Sequence, residues 1–445
     1  MVDWSKLPDV GAVTLLACAF ASVARNNHTH ASKLWLTAWL MIALHFAASM
    51  FIPMPGFLGA VALFVTLSSL TWAGELFMWA AVPYREIKSS STMVIQLLAL
   101  NTIYIGIAVA GPKAEWALTP AAVLFGVSPL AIALFSLREF THPLRWTTVS
   151  LRGALALFLL AVQHRPDNGI NIALDGMLFT IFFGCAIHFL YMFRRTTAGA
   201  FITIAGFLAW ASVFVIAPVM GTLWPQVHLE NEVWNLPKYV VAVGMILLLL
   251  ENQIEHNKYL ALHDELTGLP NRRLFQDRLA SALERARRTG TQTALLLVDL
   301  NRFKQVNDTL GHHAGDMLLQ RVATVFAGRV RRSDTVARTG GDEFSLILED
   351  PTSREDAQRV GQSLMQLLND PLNLGDQMVQ VGASVGISLF PEDALDMESL
   401  CIAADRRMYD NKERTRGRTD DIAKPLADTS ETREKQPGSD LEIAQ

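Results

Sequence analysis

Long apolar runs fill the first 253 residues of this 445-residue chain and constrain its fold more than any other feature. A helix needs about 17–25 apolar residues to cross a bilayer. Nine runs read that way: 9–25, 32–52, 57–82, 92–111, 117–137, 146–163, 171–193, 198–221 and 235–253. Charge divides at the same place. Residues 1–253 hold 13 basic and 11 acidic side chains, whereas the remaining 192 residues hold 25 and 31. A single soluble globule is excluded. The expected architecture is an α-helical transmembrane bundle of about nine spans over 1–253, followed by a water-soluble domain. The acidic balance of the second half argues against a nucleic-acid binder, which needs clustered Lys and Arg. Cys18, Cys185 and Cys401 show no metal-ligand spacing and read as small buried hydrophobes.

Loop charges orient the bundle. Arg25, Lys33, Arg85, Lys88, Arg138, Arg145, Arg194 and Arg195 fall on one side, against Lys6, Lys113, Arg165 and Lys238 on the other. The positive-inside rule then puts the N-terminus outside and everything after the ninth span in the cytoplasm, which corresponds to a multi-pass protein of the inner (cytoplasmic) membrane, in contact with lipid. Trp35, Tyr84, Trp116, Trp146, Trp224 and Trp234 lie near run ends, as in headgroup belts. A cleaved leader over the first run is disfavoured, because Asp3 and Asp9 outweigh the single Lys6 there. Ionisable groups inside the runs, namely His45, Glu75, Arg152, Asp175 and His188, are candidates for sensing. Mutual pairing is the blander reading and the favoured one.

Residues 249–262 contain no Gly or Pro, so the ninth helix is expected to continue into the cytoplasm, with 254–263 as a signalling-helix linker. Leu250, Ile254 and Ala261 offer a thin apolar seam for pairing. Beyond it, helix patterns (272–288, 313–330, 354–368, 395–411) alternate with strand patterns (294–299, 335–338, 343–349, 378–390). One sheet with antiparallel strands and helices packed on it is predicted over 264–419. Residues 420–445 are polar and aperiodic and read as a disordered tail.

The chemistry concentrates in two places. Asp299 ends a buried strand, and Asp342-Glu343 follow Gly340-Gly341 in a tight turn. Carboxylates brought together by neighbouring strands repel unless a divalent cation sits among them, and an oxygen-only set suits Mg²⁺ beside substrate phosphates. Glycines let the backbone approach a phosphate closely. Metal-assisted phosphoryl transfer is the reaction class this suggests.

Gly340-Gly341-Asp342-Glu343-Phe344 resembles the signature of the GGDEF family of diguanylate cyclases. Residues 264–272 (Asp-Glu-Leu-Thr-Gly-Leu-Pro-Asn-Arg) are similar to that family's opening motif, and 299–308, Gly311-His312, Gly315-Asp316 and 384–387 continue the likeness. The resemblance covers about 260–419 and is silent on the apolar half. It implies an α/β (α+β, palm/cyclase-like) fold. It also implies condensation of two GTP into cyclic di-GMP, with release of two pyrophosphates, between two facing domains of a homodimer.

In that resemblance, Mg²⁺ (or Mn²⁺) is held by Asp299, the Leu300 carbonyl and Asp342, with Glu343 assisting. Asp342, or water on the metal, takes the proton of the attacking 3′-hydroxyl. Asn307 and Asp316 read the guanine edge, near His312 and Phe303. Lys304, Lys412 and Gly340-Gly341 serve the phosphates, together with Arg416 or, alternatively, Arg418. Here the family's usual last helix is altered, because the Gly-Arg pair is shifted by two residues. Arg331 and Asp334 match a product-inhibition site that binds cyclic di-GMP. Two other readings stand beside this one: a catalytically silent GGDEF receptor, and a transporter carrying a regulatory cyclase-like domain.

Overall fold

With no water to satisfy them, backbone N–H and C=O groups in an apolar run pair most cheaply within a helix, and the first half of the chain is helical. The computed structural model describes all residues except 26–29, 82–86, 112–115, 136–142, 167, 194–196, 228–230, 352, 374–377 and 417–445. Two compact units divide it, Met1–Glu255 and His256–Gln445.

The first unit contains α1 (Leu7–Arg25), α2 (His30–Ser49), α3 (Phe57–Ala80), α4 (Ile87–Ala110), α5 (Leu118–Phe135), α6 (Pro143–Val162), α7 (Gly169–Met192), α8 (Ala198–Leu223) and most of α9 (Asn231–Leu262). Among the described residues, seven helices are long and apolar enough to cross a membrane. The expectation of nine is therefore met in part. The apolar stretches of α5 and α6, Leu118–Ala131 and Trp146–Val162, are shorter.

Aromatic rings fill the interior of this unit. Phe182 stacks on Trp210 at 4.0 Å, and Trp39 meets Phe77 edge-on at 5.5 Å. Trp35, expected near a headgroup belt, is instead buried against Phe189 at 5.7 Å. Trp116, Trp146 and Trp224 are exposed, and Tyr84 lies outside the described residues. The ionisable groups mostly pair. Glu75 accepts from Arg152 and, at 2.9 Å, from Asn101, with Glu75 and Arg152 only 1% and 2% exposed. His188 meets Thr148 at 3.2 Å, and His45 meets the Thr66 carbonyl at 2.9 Å. Lys238, read as a loop charge, lies buried within α9.

In the second unit, Asn271 caps α10 (Arg272–Thr289) by accepting from the Arg273 and Leu274 amides, as N-cap side chains do. Phe275, Leu279, Ala282, Leu283 and Ala286 form its buried stripe. A four-stranded antiparallel sheet follows in the order β2-β3-β1-β6, from β1 (Thr293–Leu300), β2 (Thr335–Arg338), β3 (Glu343–Glu349) and β6 (Ala383–Phe390). The expected strand over 378–390 is broken. Its start is β5 (Met378–Val379), paired with β4 (Leu372–Asn373) in a separate small ribbon. The Gly382 carbonyl takes the Asn301 amide at 2.8 Å just before β6 begins.

Successive strand residues face opposite sides, and both sides of this sheet are covered. Ala294, Leu296, Val298 and Leu300 face the core shared with α12 (His312–Ala327) and α13 (Arg354–Asn369). Leu295 and Ile347 face the core shared with α10 and α14 (Met397–Arg416). By the same parity, Asp299 and Glu343 belong on the α14 side. A methyl group on Gly386 would collide with the Ala404 carbonyl and the Met408 amide, so β6 and α14 touch backbone to backbone. A short helix missed by periodicity, α11 (Phe303–Leu310), buries only Val306.

Candidate active site

The β1–β3 register sets Asp299 directly opposite Glu343. Asp342 sits at the mouth of the same hairpin, where its carbonyl accepts from the Leu300 amide at 3.1 Å. Thus β1 and β3 bring all three expected carboxylates to one end of the sheet. Asp299 is 7% exposed and bonds Lys412 Nζ through Oδ1 at 2.6 Å. Two arginines and an asparagine on α13 and α14 fix that lysine's helix. Arg407 donates to the Ile387 carbonyl at 2.7 Å and to Asp393 at 2.6 and 2.7 Å. Arg354 reaches Asp393 at 2.8 Å, and Asn411 donates to the Val385 carbonyl at 3.1 Å. The Arg407 guanidinium holds the Asp393 carboxyl well below the usual carboxylate range, helped by Leu389 N–H and Arg354 against the opposing effect of burial.

The second cluster stands where β1 runs into α11 and α12. Gly311 turns between the two helices at φ +84°, a conformation that a side chain would strain. Gly315 has no Cβ, and Asn307 Oδ1 occupies the place where one would sit. This close approach packs Asn307 against α12 at Gly315, the residue before Asp316. Phe303 is half-buried beside them, while Lys304, His312 and Asp316 are exposed. Gly341 is exposed and Gly340 half-buried at the turn. Arg416 closes α14, but its side chain, like all of Arg418, lies outside the described residues.

Arg331 and Asp334 are not part of this cluster. They lie at the far end of β2, beside a groove of about 450 Å³ also lined by Arg329, Asp356 and Arg359. Asp334 turns inward, where its carboxylate accepts from the Arg331 amide at 2.9 Å and the Glu349 amide at 3.2 Å. It therefore closes a turn as well as facing the groove.

Sequence reasoning missed Arg338, at the end of β2. Its guanidinium donates to both Asp264 oxygens at 2.9 and 3.0 Å and to the Gly341 carbonyl at 2.8 and 3.2 Å. The opening motif is thereby strapped to the glycine turn. Burial pushes the Asp264 carboxyl up, but bonds from Thr267 and Arg338 outweigh it and hold the group below its ordinary value. The available signal was a lone basic residue two positions before the glycines. Also missed was Asn301, which accepts from the Ser384 hydroxyl at 2.9 Å and ties β1 to β6 beside Asp299.

Among the described residues, no three His, Cys, Asp or Glu side chains converge tightly enough to cage a metal by themselves. The donors still fit a hard cation. They are oxygens only, and Mg²⁺ is commonly held by one or two carboxylates plus substrate phosphates.

Residues 261–418 match the family model described as diguanylate cyclase, GGDEF domain. The chain carries a GGDEF domain. Its GGDEF relatives include the bifunctional diguanylate cyclase/cyclic di-GMP phosphodiesterase MucR of Pseudomonas aeruginosa, 39% identical over 40% of this chain and 28% of MucR. Diguanylate cyclase TpbB of the same organism is 39% identical over 41% of each chain. The solved GGDEF domain of that protein (PA1120) is 42% identical, covering 34% of this chain and 89% of the domain, with a TM-score of 0.34. This chain spans less than half the length of either curated relative.

Proposed function

We propose that this protein is a membrane-bound diguanylate cyclase, with the GGDEF domain in the cytoplasm and the N-terminus outside. Two GTP bound to two facing copies would give cyclic di-GMP and two pyrophosphates. The observation that carries the reading is the placement of Asp299, Asp342 and Glu343 at one sheet end, with Lys412 bonded to Asp299 at 2.6 Å. The cyclase relatives support the same chemistry.

Each half-reaction joins the 3′-oxygen of one GTP to the α-phosphorus of the other. The bond to the β-phosphate breaks, and pyrophosphate leaves with its electron pair. Asp342, at the turn facing the partner copy, accepts the 3′-hydroxyl proton. Asp299, the Leu300 carbonyl, Asp342 and Glu343 would hold Mg²⁺ or Mn²⁺, which supplies the positive charge that phosphoryl transfer needs. Lys412, with Lys304 and Arg416, binds phosphate oxygens, and arrival of the triphosphate gives its ammonium a second anionic partner beside Asp299. Asn307 and Asp316 hydrogen-bond the guanine edge, with Phe303 and His312 beside the base, and Gly340-Gly341 admit the phosphates against the backbone. Arg331 and its groove take the product, with Asp334 holding the turn that presents Arg331. Residues 1–253 act as the sensory membrane region, 254–263 as the signalling linker, 264–419 as the catalytic domain and 420–445 as the tail.

The test is turnover by the full chain in lipid nanodiscs with GTP and Mg²⁺. Cyclic di-GMP and pyrophosphate are expected in a 1:2 ratio. GTP binding without product would refute catalysis in favour of a silent receptor.

A further inference from the structure

The first unit buries a second polar network, at the end of the bundle where the chain begins. Asp9, in the first turn of α1, is 7% exposed. Its carboxylate accepts from Asn235 Nδ2 at 3.0 Å and from the Tyr239 hydroxyl at 3.3 Å, both on α9. The other side of the Asn235 amide accepts from Lys238 Nζ at 2.6 Å. Lys238 is 8% exposed, with its ammonium 4.6 Å from the Phe46 ring centre on α2 and 5.9 Å from that of Trp210 on α8. A single amide thus stands between a buried anion and a buried cation, and four helices meet around them.

Stability alone is a poor reason for this arrangement. Taking two charges out of water is costly, and apolar replacements often do as well. The best-attested use of buried ionic groups is to fix a register or a switch. Pro237 stands between Asn235 and Lys238, inside α9. Lacking an N–H, it leaves the Val233 carbonyl without its helix partner and weakens the first turns of α9. Side-chain bonds from α1 therefore hold a stretch that its own backbone holds poorly. The same helix ends at Leu262 in the other unit, where Asn271 takes the Ala261 and Leu262 carbonyls at 2.9 Å each and Asp264 opens the strap to the glycine turn.

We infer that Asp9, Asn235, Tyr239 and Lys238 form a latch by which the first helix sets the position of α9, and that regulation of the cyclase enters through it. The inference rests on the catalytic reading above for its output, but the latch itself can be observed without turnover.

The experiment uses the full chain in nanodiscs, with variants Asp9→Asn, Asn235→Leu and Tyr239→Phe. Thr148→Ala, which removes a buried hydroxyl bond elsewhere in the bundle, serves as the control. Amide hydrogen exchange over 233–241 should accelerate by about tenfold in the latch variants and remain unchanged in the control. Product formation at saturating GTP should shift by about threefold or more with KM for GTP unaltered, and Asn235→Leu should add nothing once Asp9 is Asn. Tyr239→Phe keeps the ring and removes one hydroxyl, so it reports even if Asp9→Asn fails to fold. Unchanged exchange in Tyr239→Phe and Asn235→Leu would overturn the latch. Faster exchange with unaltered turnover would overturn its regulatory role. A wild-type protein that makes no cyclic di-GMP would sink the catalytic reading and leave exchange to decide the latch.

Discussion

Replacing Asp393 by Asn should loosen the helix that carries Lys412. The carboxylate is 10% exposed and accepts from Arg407 at 2.6 and 2.7 Å and from Arg354 at 2.8 Å. It also accepts from the Leu389 amide at 2.8 Å. A hydrogen bond to a charged group nets about 1.5–3 kcal/mol. Arg407 is 42% exposed and Arg354 25%, so solvent screening reduces their shares. Contacts that share one carboxylate are not additive. The loss should come to about 2–4 kcal/mol, or about 5–15 °C in melting temperature for a unit of this size.

The pH dependence has a definite direction. The folded Asp393 carboxyl sits below its ordinary value, so its stabilisation is complete above the unfolded value of about 3.9 and is lost as pH falls through the folded one. The gap between wild type and Asp393→Asn should therefore be widest near neutrality and shrink steadily below about pH 4. Thermal unfolding of His256–Gln445, followed by circular dichroism from pH 7 to pH 2, makes the measurement. A gap that stays constant across that range would show that packing, and not charge, holds α14.

Asp342→Asn should abolish cyclic di-GMP formation while GTP still binds, as read by calorimetry with Mg²⁺ present; retained turnover would reassign the proton acceptor. Arg331→Ala should leave the initial rate intact and raise the product concentration needed for half-inhibition by about tenfold or more. Arg152→Ala should destabilise the helical unit by about 3–5 kcal/mol by stranding Glu75, whereas Glu75→Leu with Arg152→Leu should cost less than the single change; thermal unfolding in detergent distinguishes them. Phe344→Ala should cost about 3–5 kcal/mol, since the ring is fully buried edge-on to Phe326 at 5.4 Å.

The parts legible in the sequence were those with local causes. A glycine turn between two apolar runs announced the β2–β3 hairpin, and the 3.6-residue stripe of 272–288 announced α10. The meeting of Asp299, Asp342 and Glu343 at one sheet end was readable because strand ends and tight turns are where acidic residues can gather. What escaped depended on distance along the chain. Arg338 meets Asp264 across 74 residues, and Asn235 meets Asp9 across 226, so no spacing rule connects them. Periodicity fails for α11 because eight residues with a single buried side chain show no period. The strand-like pattern of 378–390 concealed the break between β5, which pairs with β4, and β6, which joins β1 from the Gly382–Asn301 bond onward.

Gly386 sets a length as well as a contact. Because β6 and α14 meet there without an intervening side chain, the spacing between sheet and helix is the least that two backbones allow, and Lys412 inherits it. A lysine has a fixed reach. Adding one carbon at position 386 would push α14 away from the sheet and lengthen the distance its lysine must span to the end of β1. Such a change would leave Asp299, Asp342, Glu343 and Lys412 in place and weaken the Lys412–Asp299 contact by separation alone. In this domain, the gap between α14 and the end of β1 is kept by a residue with no side chain to offer it.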